Sequence, residues 1–82
     1  VPTADLGRTL GVLEGPGGRV AGIEVKAGAT VRSEDFRGLR ALAEAAGKRF
    51  HAGIVLHGGR EAVPFGGRLW ALPLEALWTP PP

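Results

Sequence analysis

The sequence predicts a small α/β domain built on one mixed sheet, and three observations predict it. Gly22-Ile23-Glu24-Val25-Lys26 alternates as a strand does, with Glu24 and Lys26 on one face and Ala21, Ile23 and Val25 on the other. Phe36, Leu39, Leu42, Ala43 and Ala46 recur at helical spacing. The run from Phe50 to Leu56 is apolar in both parities, as expected of a strand covered on both faces. Strand, helix and strand in that order make a βαβ unit with parallel strands.

Each element then has its own signal. Residues 1–7 show no periodicity and contain Pro2, so they read as an irregular lead-in or an added strand end. Arg8 to Glu14 carries Leu10, Val12 and Leu13 and ends at Gly15-Pro16-Gly17-Gly18, a turn that makes the first two strands an antiparallel hairpin. A phosphate-loop reading of these glycines fails, because a strand follows them and no Gly-Lys-Ser/Thr ending is present. In the third element Ile23 and Val25 are expected to face the core, packed by the helix through Phe36, Leu39 and Leu42, leaving Glu24 and Lys26 on the opposite face. Ser33 reads as the helix N-cap, followed by Glu34 and Asp35 in the positive first turn. The helix runs from about Glu34 to Ala46, with Gly47 as the residue that ends it. Gly38 inside it implies a close approach to the sheet, since it costs about 1 kcal/mol relative to Ala. Ala62 to Phe65 and Arg68 to Leu72 flank Gly66-Gly67 as a second hairpin, and Pro64 confines its first arm to a sheet edge. Leu74 to Trp78 makes one helical turn, and residues 79–82 form a proline-rich tail.

Composition narrows the function classes. Eighty-two residues make a single domain, 1–82, whose core is small enough that self-association would help it. Homo-oligomerisation is therefore expected. The absence of cysteine removes disulfides, thiolate metal sites and thiol nucleophiles together. No apolar stretch approaches a membrane span and no signal pattern opens the chain, so a soluble, cytoplasmic protein without a membrane partner is expected. A net charge of +2 does not by itself call for nucleic acid. Arg37, Arg40, Lys48 and Arg49 on or beside the helix are the candidates for a nucleic-acid face, against the plainer account of a solvated helix surface.

Glu24 and Lys26 are the candidate catalytic pair. Metal-dependent phosphodiester hydrolysis needs a carboxylate on Mg²⁺ and a cation near the attacking water or the scissile phosphate. The pair alone is common on exposed strands, so its context matters. Gly22-Ile23-Glu24-Val25-Lys26, Ala29-Thr30-Val31, Asp35-Phe36-Arg37-Gly38-Leu39-Arg40, Pro64-Phe65-Gly66 and Leu69-Trp70-Ala71-Leu72-Pro73-Leu74 together resemble the uncharacterised restriction-endonuclease-like domain at the C-terminus of prokaryotic ATP-binding (AAA-type) proteins. The likeness covers roughly residues 8–78. It implies a trimmed restriction-endonuclease-like core attached to an ATPase, and the chain holds no Walker motif, so any ATPase part lies outside it or was lost. The nuclease pattern also implies an Asp on the preceding strand, facing the Glu, where this chain has Thr9-Leu10-Gly11. With a four-residue turn Thr9 stands opposite Glu24, and with a three-residue turn Leu10 does. Asp5 is too far along the strand to replace the missing acid unless the chain folds back, and Glu14, at the turn, is similarly remote.

The other candidates have plain accounts. His51 and His57 share strand parity and bracket the central strand, where histidines touching water are the simpler reading than metal ligands. Trp70 and Trp78 are better suited to covering the core or an interface than to stacking bases. The functional expectation is a catalytically degenerate nuclease-like accessory or interaction module with no cofactor. The alternatives are a weak Mg²⁺-dependent nuclease in which Glu24 holds the metal beside Lys26, with Asp5 or a second subunit supplying the other acid, and a purely structural homo-oligomerisation module.

Overall fold

The computed structural model describes residues 3–5 and 8–77, with side chains from residue 10 onward. Its strands are β1 (Thr3–Asp5), β2 (Arg8–Glu14), β3 (Val20–Lys26), β4 (Phe50–His57), β5 (Val63–Gly66) and β6 (Leu69–Pro73), and its helix is α1 (Arg37–Ala46). They form one six-stranded sheet in the order β1-β2-β3-β4-β6-β5. Antiparallel pairing joins β1 to β2, β2 to β3 and β5 to β6, while β4 lies between parallel neighbours, β3 and β6. The mixed α/β architecture, the parallel βαβ unit and the interior position of the apolar strand are those expected from the hydrophobic pattern. Pro64 falls on the edge strand β5, where its missing donor disturbs no second neighbour.

Residues 1–7 are not simply an irregular lead-in: Thr3, Ala4 and Asp5 pair with Leu10, Thr9 and Arg8 at the far edge of the sheet. Proline-flanked and only three residues long, this strand has no alternation that a periodicity argument could detect. The proline-rich tail at 79–82 lies outside the described residues. The helical layer begins later than the sequence suggests, because Ser33–Phe36 forms a 3₁₀ turn and the α-helix starts at Arg37. Ser33 is not the cap. Asp35 accepts the backbone N–H of Arg32 at 2.7 Å and so does the capping. Gly47 ends α1 with a φ of 57° and donates its N–H to the carbonyl of Ala43. In the last hairpin the turn residues are Gly67 and Arg68, shifted one place from Gly66-Gly67. Gly66 belongs to β5 beside a bulge.

The largest correction concerns which sheet face the helix covers. Phe36, Leu39 and half-buried Leu42 do face the sheet, but on the side of Gly22 and Glu24 rather than that of Ile23 and Val25. A Cβ built on Gly22 would meet Leu39 Cδ2 at 2.5 Å and Leu42 Cδ2 at 2.7 Å. Its cross-strand neighbour Gly53 is as crowded, with Leu69 Cδ2 at 2.8 Å and Phe50 Cζ at 3.1 Å. These two glycines make a flat floor on which the leucines rest, so close helix approach decides the face. The core on that side is completed by Phe50, Val55, Leu69 and Ala71. Gly38, by contrast, has ordinary contacts in reach, with Glu24 Oε1 at 3.5 Å from its built Cβ. The helix glycine therefore lies over Glu24 without being forced to be a glycine.

The opposite face carries cross-strand rows that hydrogen-bonded register brings side by side. Ile23, Ile54 and Trp70 form one row, and Val25, Leu56 and Leu72 another. No α-helix among the described residues packs there. Leu13 remains 57% exposed and Trp70 45%, and β3 contributes no charge to this face.

Candidate functional site

The register of β2 against β3 is the first fact about the candidate catalytic pair. Leu10 stands opposite Glu24, and Thr9 opposite Val25, so the position that a second metal-binding carboxylate would occupy is filled by a leucine. Leu10 also packs against the core, which a carboxylate there would not do without cost. Asp5 is paired with Arg8 in β1, two strands away from Glu24, and its side chain lies outside the described ones.

Glu24 is only 7% exposed, beneath the start of α1. Lys26, two residues further on the same face, donates from Nζ to Asp35 Oδ2 at 2.7 Å and to the carbonyl of Thr30 at 2.6 Å. Asp35 is 2% exposed and holds both Lys26 and the Arg32 backbone. Lys26, Asp35 and Arg32 thus tie the end of β3, the following loop and the 3₁₀ turn into one partly buried polar joint. Asp35 was legible only as a first-turn acid. Its true partner is nine residues earlier, a separation that no helical or strand spacing marks.

This arrangement does not fit a catalytic Mg²⁺ site. A catalytic metal needs open coordination positions that water and a phosphate can reach. Here one carboxylate is covered by the helix, the other is bonded to an ammonium group, and the described residues contain no group of three or more potential metal-binding side chains. Lys26 serves Asp35 rather than a solvent-filled cleft.

The four residues proposed for a nucleic-acid face do not share one. Arg40 donates to the carbonyl and Oγ of Ser33 and stands 5.9 Å from the Phe36 ring, so it buttresses the helix start. Arg37 is exposed at that same end. Lys48 and Arg49 follow the other end of the ten-residue helix, about 15 Å away at its normal rise. They belong instead with Arg19 and Arg68 around one cavity. Sequence reading missed those two arginines because each sits alone in a turn.

The histidines part company as well. A β-bulge early in β4 breaks the shared parity, leaving His51 exposed and His57 buried. His57 Nδ1 accepts the N–H of Gly59 at 3.0 Å, which assigns the ring proton to Nε2, donated to the carbonyl of Glu61 at 2.9 Å. The ring holds the loop after β4 in shape, and Gly58 N–H bonds Gly28 across to the loop after β3. Trp70 is on the open sheet face, and Trp78 lies outside the described residues. No helix among the described residues is long and apolar enough to cross a membrane.

No curated protein and no solved structure matches this chain. A family model described as a domain of unknown function, DUF4143, matches residues 12–77, from β2 through the turn after β6, and so takes in the hairpin, the crossover helix and the C-terminal strands together. The chain belongs to the DUF4143 family.

Proposed function

We propose that the chain is a non-cleaving interaction module on a trimmed restriction-endonuclease-like core, one that pairs with a second copy of itself through its open sheet face. The supporting observation is the reversal of faces: the helix closes over Glu24, and the large apolar residues Ile23, Ile54, Leu72 and Trp70 are on the side where no α-helix among the described residues packs. A sheet face of this composition is poorly suited to remain in water. A two-fold contact sets each patch against its own copy, and the uncharged rows on β3 and β6 bring no like charges together. Such a module matches an accessory part of an ATP-binding protein of the AAA type, with the ATPase on a separate domain. Loss of the nuclease acid at Leu10 is then no handicap, because the fold serves as a scaffold.

Sedimentation of the chain and of Trp70→Glu tests the pairing. The natural sequence is expected to sediment as a dimer at micromolar concentration. Trp70→Glu buries a charge in the contact and is expected to weaken dimerisation by at least tenfold, about 1.4 kcal/mol or more. A natural chain that stays monomeric at high micromolar concentration contradicts the pairing.

A further inference from the structure

The cluster that the nuclease comparison does not use is the cationic cavity at the beginning of β3 and β4. Arg19 precedes β3, Lys48 and Arg49 link α1 to β4, and Arg68 is in the β5–β6 turn, yet all four line one cavity of about 360 Å³. No carboxylate lines it, and none of the four makes a carboxylate ion pair among the described residues. All four are exposed, so water screens their mutual repulsion, and together they leave a concentration of positive charge that an anion would complement.

Arg68 gives a second, independent reason. It has a φ of 66°, a left-handed conformation that glycine or asparagine adopts more cheaply in such a turn. The strained backbone is kept with an arginine on it. Its Nη1 donates to the carbonyl of Phe50 at 2.9 Å, which fixes the guanidinium at the cavity while other donors stay available. The Arg49 stem passes beside Gly18, its Cδ 3.6 Å from where a Cβ would stand there.

A smaller recess of about 270 Å³ adjoins this one and shares Arg19 and His51 with it. Leu13, Pro16, Val20 and Ala21 make it apolar, and Glu14 supplies an acceptor in the same recess as Arg19, while Lys48, Arg49 and Arg68 do not line it. A carboxylate repels phosphate but accepts from a hydroxyl or amino group, so the two recesses differ in what they can take. We propose that the paired recess binds a small phosphorylated ligand of the nucleotide class, with phosphates among Arg19, Lys48, Arg49 and Arg68 and the ring system against Leu13, Pro16 and Ala21. Arginine suits this role because its fork meets phosphate oxygens in pairs. A nucleic-acid strand is less well matched, because the cations surround one concavity and Arg37 and Arg40, exposed on the helix, do not line it.

Calorimetric titration of the 82-residue chain with pyrophosphate, ADP, adenosine and a single-stranded oligonucleotide tests this. ADP is expected to bind more tightly than pyrophosphate, and adenosine more weakly than either. Arg19→Gln and Arg68→Gln are each expected to weaken ADP and pyrophosphate about tenfold. Ala21→Leu, which fills the apolar recess, is expected to lower ADP affinity towards that of pyrophosphate while leaving pyrophosphate unchanged. Arg19 is exposed, so Arg19→Gln remains decisive if Arg68→Gln disturbs the fold through its bond to Phe50. Failure of pyrophosphate and ADP to bind at millimolar concentration overturns the proposal, as does binding indifferent to both substitutions. Pyrophosphate binding as tightly as ADP removes the ring subsite, and oligonucleotide binding that ADP does not compete away assigns the cations to a strand instead.

Discussion

Replacing Phe36 by alanine is expected to destabilise the fold by about 3 to 5 kcal/mol. The side chain is fully buried where the 3₁₀ turn becomes α1, and its ring is 4.6 Å from that of Phe65 on the edge strand β5. It therefore joins the helix layer to a strand that has only β6 as a sheet neighbour. For a domain of 82 residues the whole unfolding free energy is about 4 to 12 kcal/mol, so the loss would consume a large part of it. Urea unfolding followed by circular dichroism measures the effect. Phe36→Leu, which keeps most of the volume but loses the ring contact, is expected to cost less, about 1 to 2 kcal/mol. Equal losses for the two variants would show that the ring is not packed as described.

Asp35→Ala is expected to cost about 2 to 4 kcal/mol, although the residue lies at the surface end of the helix layer in sequence terms. Its carboxylate is buried and receives both Lys26 Nζ and the Arg32 N–H, so removal releases two charge-assisted bonds at once. The cost stays below that of a fully buried pair because the Lys26 side chain keeps 21% exposure and can reach water. A double-mutant cycle with Lys26→Ala isolates their coupling, expected at about 1 to 2 kcal/mol by unfolding in urea. A coupling near zero would mean that the ammonium does not hold this joint together. The same cycle bears on catalysis, since a lysine committed to Asp35 is not placed to position a nucleophile.

How far the fold was legible depends on which physical signal each element carries. The β3–α1–β4 crossover announces itself through strong periodicity and the doubly apolar run at Phe50 to Leu56, and the edge position of β5 follows from Pro64. The covered face of β3 did not follow. Ile23 and Val25 look like the core side because they are larger than Gly22 and more apolar than Glu24, but a close-packed helix selects the face with the least bulk. Gly22 and Gly53 were the available clue, and their meaning depends on being neighbours across a parallel pair, which a linear sequence does not state. The candidate site divides in the same way. Leu10 opposite Glu24 was within the two registers the turn allowed, whereas Asp35 beside Lys26 and Arg19 beside Arg68 are juxtapositions made only by tertiary structure.

In the proposed reading Glu24 and Lys26 serve structure and do not support phosphodiester cleavage. The most direct test of that reading is incubation of the purified chain with single- and double-stranded DNA and RNA in Mg²⁺ or Mn²⁺, beside a Glu24→Gln variant shown by circular dichroism to be folded. The natural sequence is expected to leave every substrate intact, because its carboxylates are covered or bonded and the opposing position is Leu10. Metal-dependent cleavage by the natural sequence that disappears in Glu24→Gln would contradict the account.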